Sequence, residues 1–317
     1  MNGVAVQPGK LLLVGRLLRL SLAPTALADP VVGAFLAGGL FSLGPRALIL
    51  PLASACVYHG AMALNDWADR EHDARTRPDR PLPAGAITPR FALALGLSLM
   101  TIGPVLAGLT FGPGPGWVLA TAAVFAGLYD VVGRGPILGP ALLGACRFAN
   151  VAFGAVAATG ATPFAFRLLL APLGYAAYVM VVGRLGRLED DPDREPGHAP
   201  RPLVLALGCG LTLAAPLGWL AASKPISGGA AWTWLGPLVG LAIAVHAARP
   251  LLTRGRSTEP FSHSEVEQTV GAALRRLLVF QAAIALGAGS LAGFGIALGV
   301  LLGYPLAARL RTVFPPS

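Results

Sequence analysis

The sequence predicts an all-α, polytopic membrane protein, a bundle of about nine transmembrane helices, on three observations. Hydrophobic residues make up 55% of the 317-residue chain and charged residues 12%, about half the charged share of an ordinary soluble domain. The apolar residues are gathered into blocks separated by Pro, Gly and Arg clusters. Each block is about 20 residues long, the helical length that crosses a hydrocarbon core of about 30 Å. The 24 lysines and arginines are concentrated in alternate loops, as expected of a chain that threads a bilayer.

Taken in order, residues 10–20 carry Arg16 and Arg19 on a leucine-rich stretch and are expected to lie in the membrane interface, with no cleavable signal peptide. Spans follow near 20–41, 45–65, 89–110, 116–133, 136–159, 166–188, 202–222 and 232–249. The last apolar region, 273–308, is too long for one untilted span and short for two, and Gly287, Gly289 and Gly293 mark where it would break. With the N-terminus in the cytoplasm, the cytoplasmic segments take Lys10, Arg16, Arg19, the arginines between 70 and 90, Arg134, those between 184 and 201 and those between 249 and 276. The opposite face takes Arg46, Arg167, Lys224, Arg309 and Arg311. The positive-inside rule therefore predicts a multi-pass cell-membrane protein whose N-terminus and acidic loops are cytoplasmic. On this reading the net charge of +9 reports topology, and no nucleic-acid partner is expected. Cys56, Cys146 and Cys209 fall inside spans, without disulfide or metal spacing.

No soluble domain interrupts the spans, so residues 1–317 read as one domain, with a first acidic loop at 65–88 and a second at 184–201. These loops follow the second and sixth spans, which suggests two related halves whose acidic ends meet over a central cavity.

Chemistry is concentrated in the first loop. Asp66, Asp69 and Asp73 are spaced i, i+3 and i+7; on a continuing helix they share one face and cover roughly 10 Å of axis. Carboxylates set that closely call for cations, and hard oxygen ligands suit Mg²⁺. Arg77 and Arg80 follow at once. Arginines beside carboxylates that hold Mg²⁺ provide what a diphosphate needs for binding and departure. The bland alternative is a solvated acidic turn with Arg-Pro as a stop signal.

The pattern of Asn65, Asp66, Asp69 and Asp73, followed by Arg77-Pro78, Arg80-Pro81-Leu82, Gly85 and Ile87-Thr88, resembles the motif of the UbiA superfamily of intramembrane prenyltransferases. Tyr129-Asp130 and the segment 144–150 are most similar to the ebo-operon branch of that superfamily. The resemblance implies nine helices around a central cavity opening toward lipid, where a polyprenyl diphosphate ionises and alkylates a lipophilic, commonly aromatic, acceptor. It implies that Asn65, Asp66, Asp69 and Asp73 bind a Mg²⁺–diphosphate unit, with Arg77 and Arg80 contacting phosphate.

Relatives place two aspartates four residues apart after the sixth span; here Glu189 and Asp193 have that separation, and Asp190 is an equal candidate for a second Mg²⁺. Pro192 disfavours a helical conformation at Asp191, so an acidic linker without metal remains the alternative. Tyr129 and Asp130 end the fourth span at the level of the first acidic loop; relatives commonly carry, a few residues after this tyrosine, a lysine that helps hold diphosphate, and here the nearest cation is Arg134. Arg147 and Asn150 lie i, i+3 inside a span, which points to contact with diphosphate or acceptor. The competing reading is an arginine snorkelling to the interface and pairing with Asp130 or another acid. Asp29, also intramembrane, could orient an arginine, help deprotonate the acceptor or cap a helix broken at Pro30. His59 reads as a packed, hydrogen-bonded helix histidine.

Donor, acceptor and membrane lipid are thus the expected partners and Mg²⁺ the expected cofactor. The rival class is a non-catalytic relative that binds or transports an isoprenoid or lipophilic precursor. An ion-coupled transporter fits less well, because the acidic sets lie at the ends of spans rather than at the midplane. A CDP-alcohol transferase would need the Asp-Gly-x-x-Ala-Arg pattern, which is missing.

Overall fold

A computed structural model describes residues 9–133, 135–160, 166–188, 195–222 and 230–314. The described residues form twelve α-helices, without a named strand. Two short ones open the chain, α1 (Lys10–Leu17) and α2 (Ala23–Leu36), joined by a 3-10 segment, Leu20–Leu22. A second 3-10 segment, Phe41–Leu48, leads into the long α3 (Ile49–Thr76). Then come α4 (Pro89–Phe111), α5 (Pro113–Val132), α6 (Leu138–Thr159) and α7 (Phe166–Gly186). The remainder is α8 (Arg201–Thr212), α9 (Ala214–Ala221), α10 (Ala230–Arg256), α11 (His263–Gly287) and α12 (Leu291–Val313).

Among the described residues 8 helices are long and apolar enough to cross a membrane, and the chain is a multi-pass membrane protein. Two helix pairs add to this number if each is one broken span: α1 with the Leu20–Leu36 stretch, bent by 52°, and α8 with α9, bent by 43°. The expected tally of about nine therefore lies between these limits. The ambiguous last region is two helices, because α11 begins well before the apolar run and α12 continues past it. The break is built by Gly289, at φ +65°, and by Ser290, whose hydroxyl accepts from Gly293 N at 3.0 Å. Ser290 thereby caps the new helix.

Local chemistry sets the ends that matter for function. α3 runs through the acidic motif and stops at Arg77, which leaves helical geometry (φ −144°, ψ 63°) ahead of Pro78. A residue before proline is disfavoured in the α region. The next helix restarts with Thr88 as N-cap, accepting from Phe91 N at 3.3 Å, and Pro89 in its first turn. Ser262 and Glu265 form a reciprocal capping box at the start of α11.

α2, α6 and α11 form the inner layer, most of their residues buried. α2 and α6 meet through backbone: a Cβ added at Gly154 would run into the Pro30 carbonyl, and one at Gly33 into the Val151 carbonyl. Small residues of this kind let membrane helices approach closely. Pro30 sits inside an unbroken α2, so Asp29 does not cap a helix end there.

Candidate active site

The acidic motif forms a layer at one end of the bundle. α3 presents Asn65, Asp66, Asp69 and Asp73, and the turn after it folds Arg80 back beneath them. Arg80 Nη1 donates to Asp73 Oδ2 at 2.5 Å and lies 3.9 Å from Asp66 Oδ1. A second guanidinium arrives from the break between α1 and α2. Arg19 Nη2 donates to Asp66 Oδ1 at 2.8 Å and to Asn65 Oδ1 at 3.2 Å. Arg19 is also the one non-glycine among the described residues with positive φ, at +48°, a conformation that costs of order 1–3 kcal/mol and persists where surrounding structure demands it. Arg77, by contrast, has its side chain in solvent.

Asn65 ties this layer to α5. Its Nδ2 donates to Asp69 Oδ2 at 3.2 Å and to Asp130 Oδ1 at 3.0 Å. The other oxygen of Asp130, Oδ2, is buried without a hydrogen-bond partner. Beside Asp130, the Tyr129 ring faces Arg187, the residue after α7, whose guanidinium carbon is 5.7 Å from the ring centroid and whose Nη2 donates to Gly133 O at 2.6 Å. Arg184 Nη1 donates to Pro136 O at 2.8 Å. The end of α7 is thus pinned to the α5–α6 turn at the same level.

No three His, Cys, Asp or Glu side chains among the described residues converge as a ready-made cation site. Asp66 and Asp73 turn to arginines, whereas Asp69 and Asp130 share one amide. The donor set nevertheless fits Mg²⁺: all are hard oxygens, and a buried carboxylate oxygen without a donor beside a second carboxylate is what a cation satisfies. Glu189, Asp190, Asp193 and Arg134 lie outside the described residues.

A second polar group lies deeper. Along α3 it begins at Ser54, about 18 Å of helix from Asp66. Its centre is Asp29, wholly buried. Arg147 Nη1 donates to Asp29 Oδ2 at 2.9 Å and its Nη2 to Thr25 Oγ1 at 3.1 Å, with its guanidinium carbon 5.6 Å from the Tyr58 ring centroid. Asn150 Nδ2 donates to the same Asp29 oxygen at 2.9 Å and to Ser54 Oγ at 2.8 Å. Gln281 Nε2 reaches Asp29 Oδ1, Thr25 O at 3.1 Å and Tyr175 Oη at 3.0 Å. The group draws on α2, α3, α6, α7 and α11.

Asn65, Asp66, Asp69, Asp73, Arg80 and Asp130 are therefore brought together at the acidic end, with Tyr129 alongside. Arg147 and Asn150 are placed apart from them. The acid that partners Arg147 is Asp29, near the middle of α2, while Asp130 stays with the acidic layer. His59 is packed as expected, with Nδ1 2.7 Å from Leu18 O. Sequence reasoning passed over Arg19, Ser54, Tyr175 and Gln281. Gln281 carried a usable signal, an amide within the run 277–288 of otherwise apolar residues. Arg19 was absorbed into the charge bias that sets topology.

Residues 22–196 match the family model described as the UbiA prenyltransferase family. Over 76 residues the chain is 42% identical to a digeranylgeranylglyceryl phosphate synthase of Natronomonas pharaonis, covering 24% of this chain and 27% of that protein. Over 80 residues it is 49% identical to a protoheme IX farnesyltransferase of an Anaeromyxobacter species, covering 22% of this chain and 27% of that protein. The chain thus spans about a quarter of the length of these curated relatives. Among solved structures, a UbiA homolog from Archaeoglobus fulgidus bound to DMAPP and Mg²⁺ shares the fold, with a TM-score of 0.60 at 14% identity over 90% of this chain and 99% of that one.

Proposed function

The chain belongs to the UbiA prenyltransferase family, and from that premise we propose that it is an intramembrane, Mg²⁺-dependent prenyltransferase. It takes the prenyl group of a polyprenyl diphosphate and passes it to a small lipophilic acceptor, with residues 1–317 acting as one domain and the acidic layer facing the cytoplasm. The observation that carries this reading is the Asp130 oxygen, buried and unsatisfied, beside the Asn65–Asp69 pair and flanked by Arg19 and Arg80.

Asn65, Asp66, Asp69, Asp73 and Asp130 would hold Mg²⁺, which when bound neutralises and orients the diphosphate oxygens. Glu189, Asp190 and Asp193 supply the candidate ligands for a second ion, and Arg134 a further phosphate contact. The reaction breaks the allylic C–O bond, leaves the electron pair on diphosphate, forms a bond from the allylic carbon to the acceptor and releases the acceptor's proton. Negative charge grows on the departing oxygen. Arg19 and Arg80 stand within reach of that charge, and their planar forks donate paired hydrogen bonds to phosphate. Their ion pairs with Asp66 and Asp73 hold them in place until diphosphate arrives. Asn65 fixes Asp69 and Asp130 in register, and Arg187, lying against Tyr129, extends the cationic rim. Burial of the acidic layer limits water that would otherwise capture the allylic cation.

The test is binding of non-hydrolysable prenyl diphosphates of graded chain length to the purified protein. Binding should require Mg²⁺ and should be lost in Asp66→Asn/Asp69→Asn. An intact protein that binds no chain length with Mg²⁺ present overturns the proposal and favours a carrier of lipophilic precursors.

A further inference from the structure

His59 precedes Asp66 by seven residues on α3, so the two lie on one helix face, two turns and about 10 Å apart. Both grip the same bend between α1 and α2. Asp66 holds the head of Arg19, accepting from its Nη2 at 2.8 Å. His59 holds the chain just before Arg19, with Nδ1 2.7 Å from Leu18 O. A carbonyl oxygen cannot donate, so the ring carries a proton on Nδ1. The imidazole in turn packs edge-on to Tyr58, the ring centroids 5.2 Å apart.

The bend needs such a hold. Arg19 is left-handed, at φ 48° and ψ 49°, a conformation that a non-glycine residue keeps only where its surroundings over-determine it. Arg19 N donates to Arg16 O at 2.9 Å and Leu22 N to Arg19 O at 3.1 Å. These tight turns take the Leu18 carbonyl out of the helical ladder, and among the described residues the imidazole is the donor that meets it. α1 itself is seated by apolar contact, Leu17 being wholly buried in a cluster with Ala63, Leu82, Ile87 and Ala92. Apolar burial is non-directional. It sets how closely α1 approaches α3 and leaves open how the chain turns afterwards. Arg80 has no such need. It comes from the turn that directly follows α3, its N–H on Arg77 O at 3.1 Å and its carbonyl on Ala84 N at 2.9 Å. Arg19 stands 47 residues from Asp66 in sequence and is delivered by the bend.

We infer that His59 is a positioning residue for donor binding. Its Nδ1–H holds the Leu18 carbonyl, the bend keeps Arg19 left-handed, and Arg19 presents its guanidinium to diphosphate beside Asp66 and Asn65. His59 itself touches no substrate. The inference rests on the prenyltransferase reading for the diphosphate, and on the geometry of the bend for the rest.

The test compares His59→Leu with His59→Asn in the purified full chain. Leucine and asparagine branch alike at Cγ, and only asparagine offers a donor, Nδ2, where the histidine has Nδ1. Two quantities are read: Mg²⁺-dependent binding of a non-hydrolysable prenyl diphosphate, at the chain length the parent prefers, and hydrogen–deuterium exchange of the amides of residues 18–23. His59→Leu should weaken diphosphate binding about tenfold or more, the worth of one charge-assisted hydrogen bond, and should speed exchange at 18–23. His59→Asn should keep both within about twofold of the parent. Arg19→Met should weaken binding as much as His59→Leu does, and combining the two should cost nothing further, because the interaction lost is the same one. Unchanged binding in His59→Leu overturns the inference. So does an equal loss in His59→Leu and His59→Asn, or a full further loss on the Arg19→Met background, either of which would make His59 a packing residue. An intact protein that binds no prenyl diphosphate at any chain length removes the prenyltransferase reading and, with it, the part of His59 in donor binding. The exchange comparison then decides separately whether His59 holds the bend.

Discussion

Asp29 and Asp130 are both buried carboxylates, and they differ in what compensates them. Asp29 has a guanidinium and two amides, whereas Asp130 has one amide and a bare oxygen. Removing a partner from a buried ion pair leaves an uncompensated charge and typically costs about 3–5 kcal/mol. Arg147→Met should therefore lower the unfolding midpoint of the detergent-solubilised protein steeply, and adding Asp29→Asn should recover much of that loss. Additive effects of the two changes in thermal unfolding would show that the pair is not coupled. Asp130→Asn should do the reverse. Without metal it relieves an unsatisfied charge, so stability should hold or rise, while Mg²⁺-dependent diphosphate binding should weaken about tenfold or more, one ligand charge having gone. A drop in metal-free stability with unchanged Mg²⁺ response would remove Asp130 from the site. The acidic motif was legible because its offsets are local to one helix. The partners of Asp29 were not. Gln281 lies 252 residues away from it in sequence, and nothing in spacing alone pairs them.

Helix boundaries followed hydropathy well wherever the end of a helix was also the end of an apolar block, as in α4 and α6. They followed it poorly where a bend is set by packing. The kinks at residues 18–22 and at Leu213 have no proline at the turning point, and the first of them, where Arg19 takes a positive φ, is what delivers Arg19 to Asp66. The start of α11 was readable from Ser262 and Glu265, a Ser-x-x-Glu capping box, yet charge density made that stretch look like loop. The α2–α6 contact is the element-scale feature on which the Asp29 group depends. Gly154 lies against Pro30, the residue after Asp29, and is one turn from Asn150. Gly154→Val would force the helices apart, and overpacking of this kind costs about 1–3 kcal/mol. The displaced helices carry Arg147 and Asp29, whereas the acidic layer stands on α3 and α5, so the variant should retain Mg²⁺-dependent diphosphate binding. A variant as stable as the parent by thermal unfolding would show that α2 and α6 tolerate wider spacing.

At the scale of the whole molecule, two layers of polar chemistry sit at different depths in one bundle, and the charge bias says which way that bundle points. The bulk of the basic residues and the acidic layer share one face, opposite Arg46 and Arg167, and the orientation proposed above, with that face in the cytoplasm, is what the positive-inside rule expects. The assignment matters for chemistry because it decides from which aqueous side a charged diphosphate would reach the acidic layer. Glu71, with its side chain 81% exposed, reports the acidic face, and Arg46, exposed at the far end of α3, reports the other. With Cys56, Cys146 and Cys209 replaced by alanine, Glu71→Cys should react with a membrane-impermeant maleimide in inverted vesicles and resist it in intact cells. Arg46→Cys should show the opposite pattern. Labelling of Glu71→Cys from outside intact cells would reverse the orientation and place donor capture on the external face. Labelling of both positions from one side would contradict α3 as a spanning helix, and with it the separation between the two layers.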